Sequence, residues 1–402
     1  MARQHNANET SPRQGGETPV LEEIRHRKKM RKARRFVVLV VVLAALLAWI
    51  TGLFGASLTA AGDLVDTVRI AMTRGGGYPV QTGITELYQL EPVTGGFLAL
   101  GSESCVLYTD NGARLRNIQP GYARPAIAAG KTRFLIYNRG GNELRVESRT
   151  QTLYTQTLDN NILQCAMASN GTFAVAAMGT GYTADVTVYS GTMEKLLGWS
   201  MTDSEGIPLR MAFAGDNRRL AVATLLTREG QVAAGLYLLD SARNTETMLA
   251  EYTGGVPLEV CWLSGSRLLV IYDTQAVVYA ASDGAVQASY SYGGRNLAAH
   301  ALCTNGSLAL LLDDGTAQQL VLLDDALALR AQAEVSGGTG LLHTRTAVYL
   351  CTESAVECYS LQGEYQWEQV CAAPPQALLE AGQLLVFCGS EAAVCAPDSG
   401  KS

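Results

Sequence analysis

Histidine is scarce in this chain. Of its four copies, His5 and His26 sit near the start, and only His300 and His343 remain beyond them. Two imidazoles cannot build a histidine-based metal centre, and an isolated histidine on a strand is expected to be structural. The carboxylate pairs Asp313/Asp314 and Asp324/Asp325 lack the alternating oxygen ligands, glycine and distal glutamate of a calcium loop. They are expected to cap turn amides or simply to be solvated. No nucleophile elbow, phosphate loop or dinucleotide fingerprint occurs, and "RGGG" (74–77) reads as a hinge. No catalytic residue, cofactor site or metal site is therefore assigned. What remains is recognition chemistry: Arg124, Gln164, Arg210, Glu259 and His300 each interrupt an apolar segment. They are the candidate channel or binding face.

Nine cysteines, an odd number with no C-x-x-C, exclude a complete disulfide framework and a zinc knuckle. Cys351/Cys358 and Cys388/Cys395 repeat one spacing around hairpin turns, so they could bridge strands or could be small buried hydrophobes. "NGT" (170–172) and "NGS" (305–307) match the glycosylation pattern, yet Asn-Gly also suits a tight turn, and the turn is the reading adopted.

These residues need elements to hold them, and the sequence repeats its elements. A polar or small residue followed by an apolar strand recurs as GFLAL (96), RFLIY (133), TFAVA (172), RLAVA (219), RLLVI (267), SLALL (307), TAVYL (346) and QLLVF (383). The spacings of 37, 39, 47, 48, 40, 39 and 37 residues suit four-stranded propeller blades. Each copy is followed by a second apolar strand such as CVLYT, VTVYS or VECYS, often ending in a Gly-bearing turn. Further strand-like segments stand before and after. No run after residue 75 has the helical period that helical repeats require.

The last unit supplies three strands and then stops at Ser402, while "YPVQT" (78–82) belongs to no complete unit. Letting that early segment complete the last blade removes an exposed sheet edge. The fold class is all-β: an eight-bladed β-propeller over 78–402, with seven blades as the alternative if the weak copy "TGLLHTRTAVYL" is miscounted.

"VVYAASDGAVQAS" and "VECYSLQGEYQWE" resemble the strand-turn-Gly-strand phrase of PQQ-like and WD40-like bacterial propellers, including an outer-membrane assembly lipoprotein of that shape. The layout also resembles a family of single-span propellers from Clostridia-type Firmicutes. The resemblance implies the fold; the tryptophan-docking signature of quinoproteins is absent, with only Trp199, Trp262 and Trp367 in the propeller region.

The start of the chain has a different character. Residues 1–24 are polar and lack aromatics, as a disordered cytoplasmic tail would be. "RHRKKMRKARR" (25–35) holds eight Lys/Arg and abuts "FVVLVVVLAALLAWITGLF" (36–54), 19 residues without a charge. A helix of that length spans roughly 28 Å, close to the ~30 Å hydrocarbon core. The segment 36–58 reads as a transmembrane helix inserted in the lipid bilayer, and the flanking cations keep the N-terminus cytoplasmic. A cleaved signal peptide, cut near "TAAG" (59–62), is the alternative. Residues 59–77 read as a stalk, with Leu64, Val65, Val68 and Met72 at helical intervals, and the propeller as extracytoplasmic.

Beyond residue 35 the chain holds 21 Lys/Arg against 33 Asp/Glu, so nucleic acid is excluded as a partner by repulsion of phosphate. The function expected is a non-catalytic scaffold for a protein, peptide or cell-envelope partner. The alternative is a propeller enzyme of quinoprotein or lyase type. The segments "GTGYTADV" and "LLTREGQV" lengthen units three and four and are the expected docking feature.

Overall fold

The computed structural model describes the backbone of residues 53–397 and the side chains of residues 62–397. Contacts divide the chain into Met1–Gly62 and Asp63–Ser402, and the second unit is the one described below. The expected tail (1–24), basic segment (25–35) and most of the expected span (36–58) lie outside the described residues. Among the described residues no helix is long and apolar enough to cross a membrane.

Thirty-two strands, β1 to β32, form eight four-stranded antiparallel sheets. In the first, β2 (Gln89–Val93), β3 (Gly96–Leu100), β4 (Cys105–Thr109) and β5 (Arg114–Ile118) follow in order from the axis outward. Six more blades repeat that order. The eighth does not: β30 (Pro375–Ala381), β31 (Gln383–Cys388) and β32 (Glu391–Val394) are completed by β1 (Val80–Gln81), with Val80 opposite Ala392 and Gln81 opposite Glu391. The Thr82 N–H extends this clasp by donating to the Ser390 carbonyl at 2.8 Å. The closure expected of residues 78–82 is therefore present, and the blade count is eight. The doubtful copy is genuine, forming β26 (Gly340–His343) and β27 (Val348–Cys351).

Each of the eight recurring phrases is the second strand of its blade. The second and third strands are covered on both faces by neighbouring blades, so they read as continuous apolar runs; GFLAL and CVLYT are buried at every position. Outer strands such as β29 (Tyr365–Val370) are covered on one face only and alternate. Eight apolar clusters fill the eight gaps between adjacent blades. The gap between blades 8 and 1 is sealed by Phe97 against Phe387, with ring centroids 5.3 Å apart and edge-to-face.

Helix α1 (Leu53–Met72) ends against this ring. Its residues Asp63, Asp66 and Thr67 face turns of blades 1 and 2. Arg149, 1% exposed, donates to the Thr94 carbonyl at 2.8 Å, the Asp63 carbonyl at 3.0 Å and Thr67 Oγ1 at 2.6 Å. Asp63 Oδ2 accepts from Thr132 Oγ1 at 3.0 Å and lies 3.6 Å from Arg133 Nε, while Asp66 Oδ2 accepts from Thr150 Oγ1 at 2.8 Å. The hinge expected at 74–77 is a close contact instead. A Cβ on Gly75 would collide with the Asn111 carbonyl, the Gly77 N–H donates to that carbonyl at 3.1 Å, and Asn111 Nδ2 donates to the Thr73 carbonyl at 3.0 Å. Gly75 is small because backbone must approach backbone there.

All nine cysteines are free. Register explains why the hairpin pairs do not meet. Cys351 stands opposite Val356, Cys358 opposite Tyr349, and Cys388 opposite Glu391. The Asn-Gly sites are turns, as read: Asn170 Oδ1 accepts from the Thr172 N–H at 2.9 Å, and Asn305 Oδ1 from Ser307 N–H at 3.0 Å. Of the paired aspartates, Asp313, Asp314 and Asp324 cap turns, whereas Asp325 Oδ2 accepts from Arg267 Nη1 at 2.8 Å. Asp314 accepts from Thr316 and Ala317, with the Thr316 hydroxyl foremost in holding its pKa down at about 2; Asp324 accepts from Ala326 and Ala328.

Candidate functional site

The first strand of each blade leaves one edge unpaired toward the axis, and its N–H and C=O groups need partners. Inner-strand side chains supply them by reaching across to the next blade. The Gln89 amide accepts from the Ile127 N–H at 2.7 Å and donates to the Ile127 carbonyl at 3.3 Å. Gln376 does the same for blade 1, accepting from the Leu87 N–H at 3.0 Å and donating to the Thr85 carbonyl at 2.8 Å. On β14 (Ile207–Phe213), Arg210 donates through Nε to the Leu258 carbonyl at 2.5 Å and through Nη1 to the Leu209 carbonyl at 2.8 Å. Leu209 and Leu258 are the residues bulged out of register on their strands, so Arg210 satisfies carbonyls that the bulges released.

The five residues singled out in the sequence thus separate. Arg210 holds blade to blade. Gln164 lies at the bulge of β10 (Ile162–Met167), at the level of Arg210. Arg124 does not stand on an inner strand: it is exposed, one residue before β6 (Pro125–Ala129), with its guanidinium over Gly140. Glu259 on β18 (Pro257–Ser264) and His300 on β22 (Asn296–Leu302) are brought together, with Nε2 and Oε2 3.2 Å apart. His343, the other histidine considered, is buried on β26 and bonded to Ser307 Oγ at 2.8 Å; burial lowers its pKa, which suits a neutral structural role.

One residue of the axis went unnoticed in the sequence. Glu91, on β2, has its pKa raised from 4.5 to about 7, first by burial and then by the charge of Glu259. Blades 1 and 5 stand on opposite sides of the ring, so these carboxylates oppose each other across it. Glu91 sits in "LEPV", where nothing distinguishes it from a surface strand acid. Among the described residues no three His, Cys, Asp or Glu side chains are arranged to hold a metal ion.

The sign of the Glu91 shift makes a prediction. A carboxyl whose folded pKa is raised contributes stability below about pH 4.5, and that contribution is lost as pH rises through about 7. Glu91→Gln should therefore leave stability at pH 4 nearly unchanged and raise it at pH 8 by on the order of 2 kcal/mol. Thermal unfolding at the two pH values measures this; an equal shift at both would refute it.

A second feature rises from the ring on the face that carries the second-to-third-strand loops, opposite the turns that hold α1. Strands β15 (Arg219–Arg228) and β16 (Gln231–Asp240) of blade 4 are ten residues long, against five or six in the corresponding strands of blades 1, 2 and 3. They stay paired to Arg228 and Gln231, closed by Glu229 and Gly230 at φ 50° and 80°. Arg228 braces the hairpin: its Nε lies 3.0 Å from Glu251 Oε2, and Nη2 donates to the Ser204 carbonyl at 2.8 Å. Val232, Ile207, Tyr182 and Met178 stand 43–54% exposed there, on blades 3 and 4. Of the two lengthened segments foreseen in the sequence, "LLTREGQV" projects as this hairpin, whereas "GTGYTADV" forms only the loop 179–183 between six-residue strands, β11 (Phe173–Met178) and β12 (Ala184–Tyr189).

A model described as a family of unknown function (DUF5711) matches residues 76–380, most of the chain. The chain belongs to the DUF5711 family. No curated protein matches this DUF5711 chain. Among solved structures it is similar to AztD from Citrobacter koseri, at TM-score 0.54 and 10% identity over 72% of this chain and 87% of that one. It is also similar to Hsv2 from Kluyveromyces lactis, at TM-score 0.50 and 10% identity over 71% and 97%. At such identity the likeness is one of fold, and it agrees with the β-propeller built above.

Proposed function

We propose that this DUF5711 chain is a membrane-tethered, extracytoplasmic scaffold that holds a protein or peptide partner on the face bearing the blade 4 hairpin. The observation that carries this reading is the hairpin itself. It is paired to its tip, yet it presents Val232 to solvent on the face where Ile207 of β14 and Tyr182 of blade 3 are also exposed, and burial in a partner would recover the hydrophobic free energy. Asp203, Glu205 and Glu229 lie around these residues in the sequence, so the partner segment is apolar and flanked by cations. Helix α1 occupies the opposite face, which keeps this one clear. Membrane attachment rests on the basic run at 25–35 and the uncharged run at 36–54, and the resemblance to single-span propellers supports it.

The test is crosslinking in native membranes. Tyr182→Asp with Val232→Asp should reduce captured partner at least tenfold with the unfolding midpoint unchanged; undiminished capture would overturn the hairpin as the dock. Protease protection on intact cells tests the topology separately. A catalytic reading has one observation in its favour, the raised pKa of Glu91, held up first by burial and then by the charge of Glu259 across the ring. Turnover of any substrate lost on Glu91→Gln, with capture intact, would favour it.

A further inference from the structure

Two thiols meet where blade 7 hands the chain to blade 8. Cys371 directly follows β29, the outer strand of blade 7, and its N–H donates to the Ser354 carbonyl at 2.9 Å. Residues 371–374 then cross to β30 of blade 8. Cys388 ends β31, where it stands opposite Pro375 on one side and Glu391 on the other. The crossing packs against the turn that follows Cys388, since a Cβ on Gly389 would stand 3.9 Å from the Ala373 Cβ. Cys371, Ala373, Cys388 and Gly389 line one surface cavity, and both cysteines pack on the cluster of Val356, Val386 and Cys395.

Access separates these two from the neighbouring thiols. Cys351 and Cys395 are buried, whereas Cys371 and Cys388 are half-buried on the cavity wall, where a small oxidant can reach them. The third half-buried cysteine, Cys261, stands on β18 of blade 5. The Cys371 and Cys388 side chains are within hydrogen-bonding reach of each other. That contact adds to burial, the larger cause, in pushing the Cys388 thiol up to about 12. A thiolate that gains nothing from its surroundings leaves the reduced pair without special stability, so the disulfide it forms resists reduction, as structural bonds do.

We infer that Cys371 and Cys388 are a disulfide site, and that their oxidation ties blade 7 to blade 8. The turn after Cys388 joins the second and third strands of its blade, so the tie lies on the face that carries the blade 4 hairpin. The step consumes a disulfide oxidant, for which oxidised glutathione serves. One cysteine thiolate attacks it, forming a mixed disulfide and expelling one glutathione thiolate. The second cysteine attacks the protein sulfur of that mixed disulfide and expels the other. The two cysteine protons end on the two glutathiones, so two protein thiols are oxidised as one small disulfide is reduced. The bond closes a loop of 17 residues through β30 and β31 and so constrains the unfolded chain. This goes beyond the scaffold reading and does not depend on it.

The purified full-length chain, incubated with oxidised glutathione, alkylated and digested, tests this by mass spectrometry. Peptides containing Cys371 and Cys388 should be recovered linked at ten or more times the yield of any other cysteine pair. The unfolding midpoint should rise on oxidation by on the order of 5 °C and fall back on treatment with dithiothreitol. Cys371→Ser, which nearly keeps the size of the side chain, should abolish both the linked peptide and the rise, whereas Cys351→Ala should leave both in place. A different dominant pair, or cysteines that stop at the mixed disulfide with glutathione, overturns the inference. A linked pair with no rise in the midpoint overturns the tie between the blades.

Discussion

Arg149→Met should release residues 63–77 from the propeller, seen as a hundredfold or greater loss of amide exchange protection across 63–72 with the blades still protected. Arg149 reaches three acceptors on two elements from a site 1% exposed, and Asp63 and Asp66 offset the downward pull of burial on its pKa. Methionine fills much of the same space but cannot donate. The Thr94 carbonyl is then left without its partner, while the Asp63 carbonyl keeps only the Thr67 hydroxyl at 2.7 Å. Losing the charged donor of a buried hydrogen bond costs about 1.5–3 kcal/mol, and three such bonds are more than a ten-residue helix end can replace from its single buried Ile70. If exchange over 63–72 is unchanged, the Gly75–Asn111 contact and not the arginine holds the helix.

Phe97→Ala should lower the stability of the ring as a whole. Phe97 is fully buried, stacked on Tyr108 at 5.8 Å and set edge-on to Phe387 at 5.3 Å, so it belongs at once to the first blade and to the last. Truncating a buried phenylalanine costs about 3–5 kcal/mol, which in a domain of this size lowers the unfolding midpoint on the order of 5–10 °C. The backbone clasp beside it pairs only Val80 and Gln81 with β32, so it has little reserve with which to compensate. Val286→Ala, exposed on an outer strand, should stay within about 0.5 kcal/mol of the parent. Equal effects of the two substitutions would show that closure does not depend on the packing of Phe97.

The architecture could be read from the residues because propeller blades impose a local rule. A strand covered on both faces must be apolar throughout, and RLLVIY or GFLAL cannot hide that. The closing segment was legible for a similar reason: "YPVQT" was a strand without a blade and the eighth unit was a blade lacking a strand. Side-chain roles were less visible. Arg210 was noticed as a polar intrusion, but its partner is a carbonyl released by a bulge 48 residues later, and a bulge has no sequence mark of its own here. Glu91 passed unnoticed because its perturbation comes first from burial in the ring and then from the charge of Glu259 opposite, surroundings only the closed circle creates. The glycines at 75–77 look the same whether they bend freely or pack tightly; Asn111 decides, and it lies 36 residues beyond Gly75.

The eight gaps between blades are not equally filled. That between blades 7 and 8 holds three fully buried apolar residues, Val356, Val386 and Cys395, where the others hold seven to fourteen, and much of the rest of its lining is partly buried, Cys371 and Cys388 included. A closed circle cannot lose one blade without breaking two joints, but it can part at one joint and remain a connected arc. Thermal opening of this molecule therefore has a preferred place, beside the last blade, and the first thing such a breach would offer to solvent is a pair of thiols.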